Sequence, residues 1–214
     1  ELKGAFDYVL LDCPAGIERV TEKGLVVDGR EYEVDCIVYS TGFEAELTSL
    51  YRRAGHEIIG RHGVHLADKW VEGAATLFGM MSHGFPNLFV MPAPGQQAVV
   101  TVNYTQLAVL GAQFVGRTVA RLEEEGVAVF DVSAEAEADW TEKIVSSFVD
   151  ASSVMAACTP SRINLEGHPE AMNPRNGNYG RGLGDYFGYR RLLEEWLDAG
   201  DCAGIITELL AHAD

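Results

Sequence analysis

The residues Ala93-Pro94-Gly95-Gln96-Gln97 form the stretch of this sequence that is best suited to binding a charged group. Proline and glycine together predict a loop, and from about Thr101 or Asn103 a long helical pattern begins. The first N–H groups of a helix lack partners within it, and the helix dipole is positive there. The sequence therefore predicts a site for an anionic group, with Gly95 allowing close approach and the two glutamines offering side-chain amides. An ordinary crossover from strand to helix is the alternative.

The elements before this loop are a turn and an apolar run. Phe85-Pro86-Asn87 predicts a turn, because proline fixes φ and asparagine tolerates turn conformations. The run Leu88–Met91 has the length of a short buried strand. The order of strand, loop and helix would point the backbone N–H groups of the loop away from the strand, toward a ligand.

A second candidate site lies where the apolar run Cys36–Tyr39 ends in Ser40-Thr41-Gly42-Phe43. The run has too little polar alternation for a half-exposed strand, so it predicts a fully buried strand. A glycine at the end of such a strand lets the backbone pass close to a cofactor. A plain glycine turn after a strand remains open as an alternative.

The segment from Gly79 to Gly95 resembles the Baeyer–Villiger monooxygenases, the flavoenzymes that insert oxygen beside a ketone carbonyl. Two other stretches, Asp35–Phe43 and Cys158–Gly184, agree with the same family, and the second resembles its bulky-ketone subgroup. The family pattern G-x-M-x-x-G-F-P-N-L-F-x-x-x-x-P-G is carried by Gly79, Met81, Gly84, Phe85, Pro86, Asn87, Leu88, Phe89, Pro94 and Gly95.

The resemblance implies an α/β fold, as the C-terminal part of a flavoprotein with two dinucleotide-binding domains. It implies FAD and NADP as cofactors, and a small-molecule ketone and dioxygen as substrates. No residue here matches a catalytic position of the family, and no catalytic acid, base or nucleophile and no metal site is assigned. By the resemblance, the cofactor-binding residues are Thr41, Gly42, Pro94, Gly95, Gln96 and Gln97, and the substrate-contacting residues are Val99, Val100 and Thr101. For the two valines, helix-start core is the alternative.

Composition narrows the range of partners. The 214 residues carry a formal net charge of −16, which disfavours binding to nucleic acid or to anionic membranes. No apolar run approaches the about 20 residues that span a bilayer. The four cysteines have irregular spacing, which favours reduced thiols in a cytoplasmic protein. Because no strand is followed by G-x-G-x-x-G, we expect the N-terminal part of the same polypeptide to carry the main nucleotide sites. A homo-oligomer is compatible with the sequence.

Three regions are expected along the chain. Residues 1–43 would end the NADP-binding domain with a small β-meander and a strand leading back to the FAD domain. Residues 44–126 would form the C-terminal part of the FAD-binding domain with its flavin-facing helix, and residues 127–214 a helical region with a mobile loop at 151–184.

Secondary structure is predicted from hydrophobic periodicity and turn signals. The predicted strands are Tyr8–Leu11, Ile17–Val20, Leu25–Val27 and Glu31–Val34. The predicted helices are Asn103–Glu125, one beginning near Ser133, Tyr186–Leu197 and a last turn at Ile205–Leu210.

Two other functions fit the same residues. The Thr-Gly strand end and the Pro-Gly helix start would equally serve a related flavin monooxygenase that oxygenates nitrogen or sulfur. The stretch from Cys158 to Gly184 favours the Baeyer–Villiger reaction, because simpler amine oxygenases lack that loop. A fragment that is inactive alone and binds only a partner chain is the third interpretation.

Overall fold

The computed structural model describes residues 17–38, 55–100, 102–158 and 162–209. The described residues fall into two compact units. The smaller contains residues 17–38, 150–158 and 162–172, and the larger contains residues 55–100, 102–149 and 173–209. The predicted strand at Tyr8–Leu11 and the predicted site residues Thr41, Gly42 and Thr101 lie outside the described residues.

The smaller unit contains the predicted meander. Strands β1 (Ile17–Val20), β2 (Gly24–Val27) and β3 (Arg30–Glu33) pair antiparallel in that order. Asp28 and Gly29 join β2 to β3 with φ values of 49° and 70°, the two positive angles that a tight hairpin turn requires. The Asp-Gly signal therefore predicted this hairpin correctly.

The predicted buried strand at Cys36–Tyr39 is wrong for the residues that can be assessed. Cys36, Ile37 and Val38 are in no strand, and Val38 is 82% exposed. A parallel strand is buried only between neighbouring strands and covering helices. Among the described residues of this unit, none beyond the meander supplies such neighbours.

The longest helix lies in the larger unit and matches its prediction closely. Helix α2 (Tyr104–Glu124) follows α1 (Leu66–Lys69), a single turn. The Asn103 side chain caps α2 by accepting a hydrogen bond from the Thr105 N–H, and Gly126 ends it with φ 69°. Its buried residues fall at helical spacing on one face: Leu107, Leu110, Gly111, Phe114, Thr118 and Leu122. No helix in the described ranges is long and apolar enough to cross a membrane.

Two further helices of this unit were also predicted. Helix α3 (Ala134–Ser147) begins at Ser133, whose Oγ accepts the Ala136 N–H at 3.1 Å. Helix α5 (Tyr186–Ala199) ends at Gly200 with φ 74°. Between them in the chain, α4 (Ser152–Met155) is a single turn in the smaller unit.

Two predictions about strands in this unit were wrong. Ile205–Leu209 is not helical but forms β5, antiparallel to β4 (Val127–Val132), which the sequence did not predict. Leu88–Met91 forms no strand, and the Val90 N–H donates instead to the Met80 carbonyl at 2.7 Å. Short apolar runs do not distinguish strand from helix or coil, and here distant pairing decides.

The second half of the loop at 151–184, which the sequence predicts to be mobile, makes defined hydrogen bonds within the larger unit. The Asn173 side chain donates to the Glu72 carbonyl at 2.8 Å, and the Ala74 N–H donates to the Asn176 side chain at 2.9 Å. The Tyr179 N–H donates to the Ala98 carbonyl at 2.6 Å. The loop is rich in glycine and asparagine because its tight turns and side-chain bonds replace regular structure, not because it lacks contacts.

Aromatic rings fill the centre of the larger unit. The Phe78 ring meets the rings of Phe114, Trp140 and Trp196 edge-on, with centroids 5.2–5.9 Å apart. Tyr189 is fully buried, and its hydroxyl donates to the Phe78 carbonyl at 2.6 Å. This bond ties α5 to the centre of the core.

We expect Tyr189→Phe to lower the free energy of unfolding by about 1–2 kcal/mol, because the buried Phe78 carbonyl loses its donor. Tyr104→Phe is the matched control, since Tyr104 is 56% exposed, and should change stability by less than about 0.5 kcal/mol. Urea denaturation monitored by circular dichroism measures both. Equal effects of the two substitutions would contradict the role of the buried hydroxyl.

Stability should also depend on Tyr189 at alkaline pH. Burial raises the pKa of the Tyr189 hydroxyl above its ordinary value. Its folded-state pKa therefore exceeds its unfolded value of about 10, and the stabilisation is complete below that value and lost as pH rises above it, by about 1.4 kcal/mol per pH unit. Denaturation between about pH 9 and about pH 11 should show a steeper loss for the wild type than for Tyr189→Phe. Parallel curves would refute this.

Candidate functional site

The start of α2 presents an exposed and uncompensated positive helix end. Asn103, Tyr104 and the two residues after them are exposed, and the first turn of α2 holds no acidic residue. By contrast, α3 carries Glu135 and Glu137 in its first turn. In a chain with 32 acidic residues, the longest helix thus has an exposed positive end with no acidic residue in its first turn.

The loop before α2 reaches the surface at only part of its length. Pro94 is exposed and Gly95 half-buried, with φ 78° at Gly95. Gln96 and Gln97 are 1% and 0% exposed. Of the four residues of this loop predicted to contact a cofactor, Pro94 and Gly95 are therefore the two that a ligand can reach.

The side chains of Gln96 and Gln97 turn inward. Gln96 Nε2 donates to the Gly79 carbonyl at 2.6 Å. Gln97 Nε2 donates to the Ala74 carbonyl at 2.7 Å, and its Oε1 accepts from the Thr76 N–H and hydroxyl at 3.1 and 2.7 Å. The amides thus hold the loop from inside instead of facing a ligand, which corrects the expectation that they would be offered to a cofactor.

The residues predicted to contact a substrate also differ in their exposure to solvent. Val99 has no exposed surface and belongs to the hydrophobic core, whereas Val100 is half-buried. The Val100 N–H donates to the Leu183 carbonyl at 3.3 Å, so the later loop lies directly against this segment. Val100 is the described residue of the three that can contact a substrate.

The family motif Gly84-Phe85-Pro86-Asn87 lies along the edge of β4. The Asn87 N–H donates to the Phe130 carbonyl at 3.0 Å, and the Asn87 Oδ1 accepts the Phe130 N–H at 2.9 Å. Asn87 Nδ2 also donates to the Ala128 carbonyl at 3.2 Å. Asn87, with φ 56°, therefore pairs with β4 as a short additional strand would.

Two carboxylates, on β4 and on α3, accept hydrogen bonds from the same turn. Asp131, on β4, is 6% exposed and accepts the Gly84 N–H at 3.0 Å. Glu137 Oε1, on α3, accepts from Lys69 Nζ at 2.8 Å, from the His83 N–H at 2.7 Å and from Ser82 Oγ at 3.0 Å. We call residues 82–87 with their bonds to Asp131, Glu137 and β4 the turn clamp.

Arg61 closes the clamp from the surface. Its Nε donates to Asp131 Oδ2 at 3.2 Å, and its backbone N–H donates to the Gly84 carbonyl at 2.7 Å. A second bond from the guanidinium reaches Glu208 of β5 at 2.8 Å. The bonds to Glu208 and Asp131 raise the pKa of Arg61 above its ordinary value, so the clamp keeps its charge.

The described residues contain no group of three metal-binding side chains. A cavity of about 450 Å³ lies between α2 and α5 and includes no residue of the 94–100 stretch. Its lining residues are Leu110, Gln113, Phe114, Gly116, Arg117, Leu193, Glu194 and Leu197.

Comparison with known proteins identifies relatives of this chain. No protein-family model matches the chain. Pentalenolactone D synthase of Streptomyces arenae is 38% identical over 193 residues, which cover 89% of this chain and 32% of the synthase. Baeyer-Villiger monooxygenase 4 of Dietzia sp. is 35% identical over 204 residues, 94% of this chain and 32% of that protein. The chain thus spans about a third of the length of the curated relatives it matches.

Solved structures share the fold. A polycyclic ketone monooxygenase from the fungus Thermothelomyces thermophila superposes with a TM-score of 0.73 and 32% identity, over 92% of this chain and 31% of that chain. Other matches include a steroid monooxygenase bound to NADP and a protein of Hypomyces subiculosus named an FAD-binding monooxygenase. The chain is therefore a homologue of the flavin-dependent monooxygenases. More particularly, its relatives are Baeyer–Villiger monooxygenases, which confirms the family and the α/β fold class expected from the sequence.

The sequence interpretation did not find Lys69, Asp131 or Glu137. A signal for Asp131 was present, because an aspartate inside the apolar run Val127–Val132 predicts a buried carboxylate that needs donors. Glu137 had no such signal, since a glutamate in the first turn of a helix is ordinary on electrostatic grounds. Its partners come from distant parts of the sequence.

The clamp predicts a specific effect of substitution at Asn87. Asn87→Ala should lower the free energy of unfolding by about 1.5–3 kcal/mol, because the Phe130 N–H and Ala128 carbonyl lose their partners. Asn87→Gly loses the same bonds but adopts a positive φ without strain, so it should be less damaging by about 1 kcal/mol. Thermal or urea unfolding measures both. If alanine proved no worse than glycine, the positive φ would not matter to stability.

Proposed function

We propose that this chain is the C-terminal part of an FAD- and NADPH-dependent Baeyer–Villiger monooxygenase. The complete enzyme would convert a ketone to an ester or lactone, with one atom of dioxygen inserted beside the carbonyl and the other leaving as water. The observation that carries the proposal is the exposed N-terminus of α2, with no acidic residue in its first turn, in a chain whose relatives are flavin monooxygenases.

The described residues fit a flavin at this place. FAD, when bound, supplies the redox chemistry with electrons from NADPH. The exposed first turn of α2 presents the positive end of the helix dipole, which favours negative charge by about 0.3–2 kcal/mol depending on burial. Asn103 caps the helix with a neutral amide, so neither the cap nor the first turn of α2 adds a negative charge there.

The substrate would lie beside Val100 and, by resemblance, Thr101. Val100 is half-buried and held by Leu183, so a ketone that reached it would meet an apolar surface made from two distant parts of the chain. Two of the similar solved structures are named a polycyclic ketone monooxygenase and a steroid monooxygenase, and these names favour a bulky apolar ketone as the substrate. Ala98 and Val99 would form the fixed floor behind it, since both are fully buried.

The domain boundaries, the location of the main nucleotide sites and the cellular compartment are further parts of this proposal. Residues 1–43 would end the NADP-binding domain, 44–126 would complete the FAD-binding domain, and 127–214 would form the helical region. The rest of the polypeptide would supply the main nucleotide sites. The described cysteines Cys36, Cys158 and Cys202 are free thiols, as a reducing cytoplasm would keep them.

Turnover by the full-length polypeptide tests the proposal. With FAD and dioxygen, a panel of bulky ketones should stimulate NADPH oxidation and give one ester or lactone per NADPH consumed. Amines and sulfides serve as comparison substrates. Turnover of those with inert ketones would instead support nitrogen or sulfur oxygenation, and hydrogen peroxide as the sole product from every ketone would count against the proposal.

A further inference from the structure

Glu137 is a buried carboxylate that the proposed function does not use. Its side chain is 12% exposed, and that of its partner Lys69 is 19% exposed. Three donors converge on the single oxygen Oε1, whereas Glu135 in the same helical turn is exposed. A buried ion pair is seldom a net source of stability, because both charges lose their water. The arrangement therefore calls for another explanation.

A series of contacts joins Glu137 to Gln97, and the hydrogen bonds of Glu137 fix its first end. Glu137 holds the His83 N–H directly, and Lys69 Nζ donates to the His83 carbonyl at 2.6 Å. Ser82 Oγ lies 3.0 Å from Glu137 Oε1 and 2.8 Å from the Ala75 carbonyl. Trp70 Nε1 donates to the same Ala75 carbonyl at 3.1 Å, so Ser82 can give its one proton to Glu137 without leaving Ala75 unpaired.

The same helix holds the other end of this series of contacts. One turn beyond Glu137, Trp140 Nε1 donates to the Gln97 carbonyl at 3.2 Å, and Thr141 Oγ1 lies 3.3 Å from Gln97 Nε2. Positions 137, 140 and 141 share one face of α3, because residues three and four apart are neighbours on a helix. The Gln97 side chain in turn forms hydrogen bonds with Ala74 and Thr76, the two neighbours of Ala75 in the chain. The two ends are thus joined both through α3 and through residues 74–76.

We propose that Glu137 is a positioning residue for the flavin-facing surface. It fixes residues 82–83 against α3, and α3 sets Gln97, which immediately follows Pro94, Gly95 and Gln96. The inference rests on the proposed function for the identity of the ligand. It assigns Glu137 no contact with the flavin, the ketone or any reacting atom.

The test replaces the ion pair by apolar side chains of similar volume. In the full-length polypeptide, Lys69→Met combined with Glu137→Leu removes the ion pair and should lower the melting temperature by a few degrees, because the His83 N–H and carbonyl lose their partners. It should raise the dissociation constant for FAD about tenfold, because residues 82–83 lose their anchor. Flavin circular dichroism should change as well. Glu135→Leu, in the same helical turn, is the matched control and should match the wild type in all three.

A variant that keeps the acceptor should rescue binding. Glu137→Gln retains a side-chain oxygen for the His83 N–H and should bind FAD within about threefold of the wild type. If the double variant does not fold, Glu137→Ala is compared with Glu137→Gln, and alanine should be about tenfold weaker. Equal FAD affinity and an unchanged flavin spectrum, in either comparison, would overturn the proposal.

The design separates this inference from the proposed function. A wild-type polypeptide that binds FAD but oxidises no ketone would defeat the proposed reaction, and FAD affinity would still decide the role of Glu137. If the wild type binds no FAD, hydrogen exchange at residues 97–99 decides instead. Exchange should be about tenfold faster in the double variant than with Glu135→Leu, and equal rates would overturn positioning by Glu137.

Discussion

The larger unit depends on the pairing of an irregular turn with the edge of a strand. Residues 82–87 form no regular element, yet Phe85 is buried and the backbone around it must find partners. Asn87 supplies them on β4, and Asp131 and Glu137 supply them where no carbonyl is within reach. Buried carboxylates suit this task, because they accept several N–H groups and charge-assisted bonds are shorter and stronger.

The need of buried backbone groups for hydrogen-bond partners also explains why the side chains of Gln96 and Gln97 point inward. Residues 74–79 are also irregular and buried, so their carbonyls and N–H groups need donors and acceptors. An amide side chain offers both, and Gln97 uses both at once on Ala74 and Thr76. The loop that precedes α2 is therefore built from its interior, and its accessible surface is reduced to Pro94, Gly95 and the helix start.

Sequence reasoning predicted the parts that local physics determines. The period and caps of α2 defined its buried face residue by residue, and Asp28-Gly29 defined the hairpin. It failed where a distant partner decides. Ile205–Leu209 became a strand because β4 offered an edge, and Leu88–Met91 did not, because Asn87 already holds the other edge of β4. Near the candidate site, the start of α2 followed from local pattern, whereas the inward bonds of Gln96 and Gln97 reach residues 17 or more positions away, at Gly79, Ala74 and Trp140.

In a cofactor-dependent enzyme the cofactor carries the bond-making chemistry, and the protein supplies position and field. Helix α3 is suited to supplying position, because Glu137 and Thr141 lie about 6 Å apart along a rigid axis at 1.5 Å per residue. A single inserted residue between them would rotate one contact by about 100° around the helix and separate the two loops they hold. The spacing of these side chains on α3 therefore fixes the position of residues 82–83 relative to Gln97.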